Sequence, residues 1–414
     1  MTRQLTELVA EHTVAERDTA PLLMADVVSA APRTSVEMRA AGDTDVSLPD
    51  PVRESLTQLR AGLPVVGVAP ASPPSPHSTL STPTDRPPGG QTIPHTLDDS
   101  MRGKNEDPMS TFHPDLRRGR FIPNVSYGRL SSRLVRSVKW RSTDPGPDVT
   151  VQEIVVPGPK DAPSVSLRVF QPTGLKTAAP MLFWVHGGGL IFGAPEQDDR
   201  TNIAFARELG ITVAAVRYRL GPDHPAPAAV EDAYAGLRGL VERAGDLHID
   251  IDRIAIGGAS AGGGIAAALA LLAHDRAEIR PVFQLLLYPM LDDRTTTRTD
   301  LDTLKVRVWT PKSNRYGWSS YLGDAVAGPD VSPYAAAARR EDLTGLPPAW
   351  IGVGTLDLFH DEDVEYARRL GDSGVPCELD VIPGAFHGFD LVLPKAEISR
   401  EFWRRQARAL NGAL

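Results

Sequence analysis

From residue 149 onward the chain repeats one pattern: a short, nearly continuous apolar run, then a stretch of helical period. The runs are "VTVQEIVV" (149–156), "VSLRVF" (165–170), "MLFWVH" (181–186), "TVAAVRY" (212–218), "RIAIGG" (253–258), "VFQLLLY" (282–288), "AWIGVG" (349–354) and "CELDVI" (377–382). Helical patterns at 199–209, 228–244, 261–274, 361–372 and 396–411 separate most of them. Apolar runs of this kind fit strands buried on both faces, and strands alternating with helices pair in parallel through crossovers. The pattern therefore predicts an α/β fold, an eight-stranded, mostly parallel sheet with helices on both faces.

The first 108 residues read differently. "APASPPSPHSTLSTPTDRPPGGQTIPHT" (69–96) is rich in Pro, Ser and Thr, which predicts a largely disordered extension. Its best helix candidate is "DPVRESLTQLRAGL" (50–63). "MSTFHPDLRRGRFIPN" (109–124) looks like a beginning of its own, methionine included. Residues 1–108 are expected to be dispensable, either as a tail or because translation starts at Met109. The competing reading docks residues 50–63 over the site as an extra helix.

Composition narrows the partners. The net charge is −8 and no Lys/Arg block stands out at this level, so nucleic acid is not expected. The longest apolar run, "IAAALALLA" (265–273), is too short for a membrane span, and residues 1–18 lack the apolar core of a signal peptide. Cys377 is the only cysteine, so there is no intrachain disulfide and no thiol metal cluster. It reads as a packing residue in a reducing cytoplasm. No metal and no cofactor are expected; a homodimer stays open.

Two glycine-rich stretches carry the chemistry. In "RIAIGGASAGGGIAAALALLAHD" (253–275) an apolar strand runs into Gly258-Ala259-Ser260-Ala261-Gly262 and an alanine-rich helix follows. The G-x-S-x-G pattern alone is weak. Strand, sharp turn and helix together mark Ser260 as a nucleophile held on a strained turn. A serine needs a base, and the base needs an orienting acid. On such a sheet the chain order is serine, acid, histidine. Asp357 in "GTLDLFHDED" and His387 in "GAFHGF" both follow strand ends in that order. Asp361 and Asp363 fall inside the following helix and read as charged first-turn residues favoured by its dipole. His360 reads as a solvated bystander.

The second stretch is "VHGGGLIFG" (185–193). A tetrahedral intermediate carries an oxyanion that backbone N–H groups must meet. The N–H of Ala261 is one candidate donor. The loop His186-Gly187-Gly188-Gly189 can supply the others, because no side chain stands in the way. His186 itself reads as a loop-holding group rather than an acid or base. The absence of G-K-[ST] and of G-x-G-x-x-G before a helix excludes a phosphate loop.

Residues 109–414 resemble the hormone-sensitive-lipase family of α/β hydrolases, the bacterial family IV esterases and arylacetamide-deacetylase-like enzymes. The matching pieces are "HGGGLIFG", "YRLGPDHPAPAAVEDA" (218–233), "GGASAGG", "LLLYPMLDD" (285–293), "GTLDLFHDE" and "GAFHGFD". The resemblance implies the α/β-hydrolase fold and a serine carboxylesterase acting on short- to medium-chain acyl esters. It implies Ser260, Asp357 and His387 as catalytic residues, Gly188, Gly189 and Ala261 as the oxyanion hole, and a helical cap from about 110–142 and 294–325. An amidase or deacetylase would use the same residues. Non-catalytic small-molecule receptors share the fold but lack the triad histidine, and His387 argues against that role. Two departures stand out: Ala259 where Asp or Thr is common, and Gly264 where Asn is frequent.

Overall fold

A computed structural model describes residues 112–301 and 305–414. The 1–108 extension and its helix candidate at 50–63 lie outside those residues.

All eight expected strands form: β1 (Val149–Val156), β2 (Val165–Pro172), β3 (Ala179–Val185), β4 (Thr212–Arg217), β5 (Ile249–Ala259), β6 (Phe283–Leu287), β7 (Ala349–Gly354) and β8 (Cys377–Ile382). They make one sheet in the order β1-β2-β4-β3-β5-β6-β7-β8. β2 runs antiparallel to β1 and β4; every other pairing is parallel. The helices are α1 (Arg129–Ser137), α2 (Asp199–Leu209), α3 (Ala228–Glu242), α4 (Ala261–Arg276), α5 (Pro311–Leu322), α6 (His360–Asp372), α7 (Phe389–Val392) and α8 (Glu397–Ala413).

The two-residue period of the strands sorts the core. Leu182 and Trp184 of β3 join Phe205 of α2 and Phe402 and Leu410 of α8 on one face. Phe183, between them, points to the other face, where a Cβ added at Gly236 of α3 would stand 3.5 Å from its ring. Every residue of α4 from Ala261 to Ala273 is buried. A helix apolar all round has to be interior, which is why its sequence is alanine- and leucine-rich without a polar stripe.

The site residues gather where the parallel strands end, at the edge reached by the turns after β3, β5, β7 and β8. Two stretches outside the sheet close over that edge. Residues 126–132 are laced to α5: the Tyr127 N–H donates to Ser313 Oγ at 2.9 Å, and Ser126 Oγ lies 2.9 Å from Thr310 Oγ1. Tyr127, Phe192 and Trp309 form an aromatic cluster, with Tyr127 4.9 Å from Phe192 and 6.0 Å from Trp309 by ring centroid.

Candidate active site

Ser260 sits between β5 and α4 at φ 57° and ψ −122°. A non-glycine residue there costs about 1–3 kcal/mol and must be held in place. Its N–H donates to Leu287 O at 2.8 Å, and its carbonyl accepts from Gly264 at 3.0 Å and Met290 at 2.9 Å. The turn also has no room for side chains. A Cβ at Gly262 would stand 2.1 Å from Val185 O, and one at Gly264 would stand 2.0 Å from Met290 O. Gly264 is thus a steric requirement here, where a bulkier residue would push the Met290 loop off the serine.

His387 follows β8 and reaches back over the sheet edge. Its Nε2 is 2.9 Å from Ser260 Oγ, and its Nδ1 is 2.8 Å from Asp357 Oδ2. Asp357 Oδ1 accepts from the Phe359 N–H at 2.9 Å, so both carboxylate oxygens are engaged. The ring is held edge-on by Tyr288 at 4.9 Å and Phe359 at 5.2 Å. All three polar residues are buried.

The glycine loop after β3 lies beside the serine. A Cβ at Gly187 would stand 3.5 Å from Ser260 Cβ. Gly188 (φ 123°) and Gly189 (φ 58°) occupy the left-handed half of backbone space. Side chains there would also collide, with Phe192 O at 2.0 Å and the Trp309 ring at 1.9 Å respectively. His186 is buried with its Nδ1 2.8 Å from Gly187 O, and its ring stacks on Tyr218 at 4.3 Å. The Tyr218 hydroxyl donates to His186 O at 3.0 Å. Burial pulls the His186 imidazole down to about 4, so it is neutral at neutral pH and suited to bracing the loop.

The family model for the alpha/beta hydrolase fold matches residues 182–391, half of the chain. The chain belongs to this α/β-hydrolase family. The carboxylesterase NlhH of Mycobacterium tuberculosis is 36% identical over 278 residues, covering 65% of this chain and 84% of its own. An ethyl acetate hydrolase of Pseudomonas putida is 32% identical, over 56% of this chain and 73% of its own. The solved structure of a bacterial heroin esterase superposes with a TM-score of 0.67 at 34% identity, covering 74% of this chain and 99% of its own.

Within this hydrolase one expectation needs correcting. Asp361 is an exposed first-turn residue, paired with Arg298 at 2.6 Å and His360 at 2.8 Å, which holds its carboxyl below the usual range. Asp363 is not a helix-dipole charge. It is fully buried with neither oxygen hydrogen-bonded, and burial pushes its carboxyl well above the usual range. The helical wheel places it inward, which first-turn position alone does not reveal.

Sequence reasoning missed the groups behind the site. Glu362 accepts from the N–H groups of Leu291 at 2.7 Å and Asp292 at 3.2 Å and from the Thr295 hydroxyl, anchoring the loop whose Met290 N–H holds Ser260. Burial pushes its carboxyl up to about 8. The Tyr288 hydroxyl donates to half-buried Asp390 at 2.8 Å, and Trp184 Nε1–H donates to buried Asp198 at 2.8 Å. Burial raises both carboxyls, Asp198 to about 7. Glu362, Tyr288 and Asp390 lie within the matching pieces quoted above, but only the fold tells that they face one another's loops.

Proposed function

We propose that the protein is a serine carboxylesterase in which Ser260, His387 and Asp357 form the catalytic triad. The observation that carries this is the unbroken hydrogen-bonded chain Ser260 Oγ–His387–Asp357 at 2.9 and 2.8 Å, buried at the ends of parallel strands. Ser260 Oγ attacks the ester carbonyl while His387 Nε2 takes its proton. Asp357 fixes the ring and favours the imidazolium that forms. The N–H groups of Gly188, Gly189 and Ala261 meet the oxyanion, with His186 and Gly187 supporting the loop. The imidazolium then returns the proton to the leaving alcohol, and water, deprotonated by His387, releases the acid from the acyl-serine.

Residues 110–142 and 294–325 are assigned as the cap that bounds the acyl pocket. Short- to medium-chain acyl esters are the substrate class: Trp309 stands against Gly189, and a relative is named for ethyl acetate. A cytoplasmic location fits the single cysteine. Among the described residues no helix is long and apolar enough to cross a membrane.

The test is labelling with a fluorophosphonate and hydrolysis of p-nitrophenyl esters of rising chain length. Stoichiometric labelling that disappears in Ser260→Ala, with kcat falling on the order of 10⁴- to 10⁶-fold, is the expected result. Undiminished labelling of Ser260→Ala would remove the assignment. A kcat/KM that rises toward long chains would remove the substrate class alone.

A further inference from the structure

Net charge hides a local concentration. Residues 117–141 hold eight of the chain's 44 Lys and Arg and none of its 52 Asp and Glu. Arg117, Arg118, Arg129, Arg133, Lys139 and Arg141 are all exposed, and among the described residues none of the six has an ion-pair partner. In α1 the buried side is Ser132 and Val135, turned toward α5, where Ser132 Oγ lies 3.4 Å from the Tyr316 hydroxyl. The opposite, outward side presents Arg129, Leu130, Arg133 and Leu134. Leu130 is 81% exposed and Leu134 43%, one helical turn apart, and nearby Phe121 is 73% exposed under the Arg120 guanidinium. Ordinary surface helices bury such leucines; this one turns them to water between arginines.

We propose that segment 117–141 is a docking surface for an anionic lipid bilayer, with α1 lying in the headgroup plane. Cations interleaved with exposed leucines are what an interfacial helix needs: the arginines meet lipid phosphates and the leucines enter the acyl boundary. A soluble polyanion would call for the charges but leave the leucines and Phe121 in water. At the C-terminal end of α1 a cavity of about 470 Å³ opens, lined by Arg136, Lys139, Trp140 and Arg217 with Glu196 as its one acid. There Arg136 is paired with Asp223 and Arg217 with Glu196, which leaves the Lys139 ammonium and the Trp140 indole as the groups it offers a headgroup. The consequence for catalysis rests on the esterase reading: α1 and the Tyr127 cluster stand over the glycine loop, so docking would present the site to esters dissolved in the membrane.

The test is co-sedimentation of the full chain with phosphatidylcholine vesicles, with and without about a third phosphatidylglycerol. Binding is expected only with the anionic lipid, falling steeply as salt shortens the Debye length from about 10 Å to about 3 Å. Arg129→Glu/Arg133→Glu and Leu130→Ser/Leu134→Ser should each weaken it at least about tenfold. Melting temperature and kcat/KM on a water-soluble ester, measured for both variants without vesicles, report folding and the catalytic assignment separately from vesicle binding. No binding to anionic vesicles overturns the proposal, leaving the face to the chain's own acidic segments or a second copy. So does binding that the leucine variant does not weaken, or equal competition by heparin, either of which would mark a general polyanion site.

Discussion

Ser260 and Gly189 show how the site depends on single backbone conformations. Ser260 at φ 57° is stabilised by three main-chain hydrogen bonds, and none of them involves its hydroxyl. Ser260→Ala is therefore expected to fold with a wild-type melting temperature while losing catalysis, a separation that calorimetry and a kinetic assay read directly. Gly189→Ala should behave differently. Its Cβ would meet the Trp309 ring at 1.9 Å, and φ 58° is strained for alanine. The loop must move, and with it a proposed oxyanion donor; loss of such a donor costs about 10²–10³ in kcat. Retention of full kcat in Gly189→Ala would show that the loop is not part of the transition-state site. Among the acids, Asp357→Asn should cost on the order of 10⁴ in kcat. Asp361→Asn should cost less than about tenfold, since it loses only an exposed first-turn charge. Asp363→Asn should be tolerated equally well in kcat, because the side chain makes no hydrogen bond to the triad or to its loops. A dead Asp361→Asn beside an active Asp357→Asn would reverse the assignment.

At the scale of elements, α6 carries two jobs in one turn. Its start follows Asp357, and Glu362 reaches sideways to hold the 291–295 loop. The Glu362 carboxyl titrates near 8 in the fold but near 4.3 when the chain is unfolded. The folded state thus holds an extra proton between those values. Its stabilisation is complete below the unfolded value and is lost as pH rises toward about 8. Melting temperature should fall over that window, and Glu362→Gln, which keeps an acceptor for Leu291 and Asp292 and does not titrate, should flatten the fall. Asp198, raised to about 7, adds a slope of the same sign, so the readout is the difference between wild type and variant. Identical slopes would mean that Glu362 is ionised in the fold. His186 works in the opposite direction. With its imidazole depressed to about 4, its contribution is present above the ordinary histidine range and lost as pH falls through 4.

For the whole molecule, the eight strands found among the described residues lie between Val149 and Ile382. The segment just after residue 109 also belongs to the fold. Leu116 is fully buried, the His113 N–H donates to Gly384 O at 2.9 Å, and a Cβ at Gly119 would strike the Phe386 ring at 2.3 Å. These contacts brace the loop that carries His387. Residues 109–414 alone are therefore expected to melt within a few degrees of the full chain and to keep its ester kcat/KM. A tenfold fall in activity would show that the first 108 residues take part in the site. Truncation beyond Leu116, by contrast, should lower both, since a core side chain is removed.

Periodicity and glycine placement were enough to read the strands, the alanine-rich helix α4 and the three residues now found within hydrogen-bond reach, because buried strands and a side-chain-free turn leave their mark in the residue types themselves. Ser260, Asp357 and His387 were legible because each sits at the end of an apolar run, and the chain order on a parallel sheet constrains which ends can meet. Asp363 was misread because its side of α6 is decided by what packs there. Glu362, Tyr288 and Asp390 were passed over for the same reason: a carboxylate's charge and partners depend on burial and on loops far away in the chain. The cationic, leucine-bearing face of α1 is written in residues 117–141, yet whole-chain charge averaged it away. Only the tertiary structure decided that Val135 turns inward and Leu130 and Leu134 outward, because which side of a helix meets water is set by the neighbour it packs against.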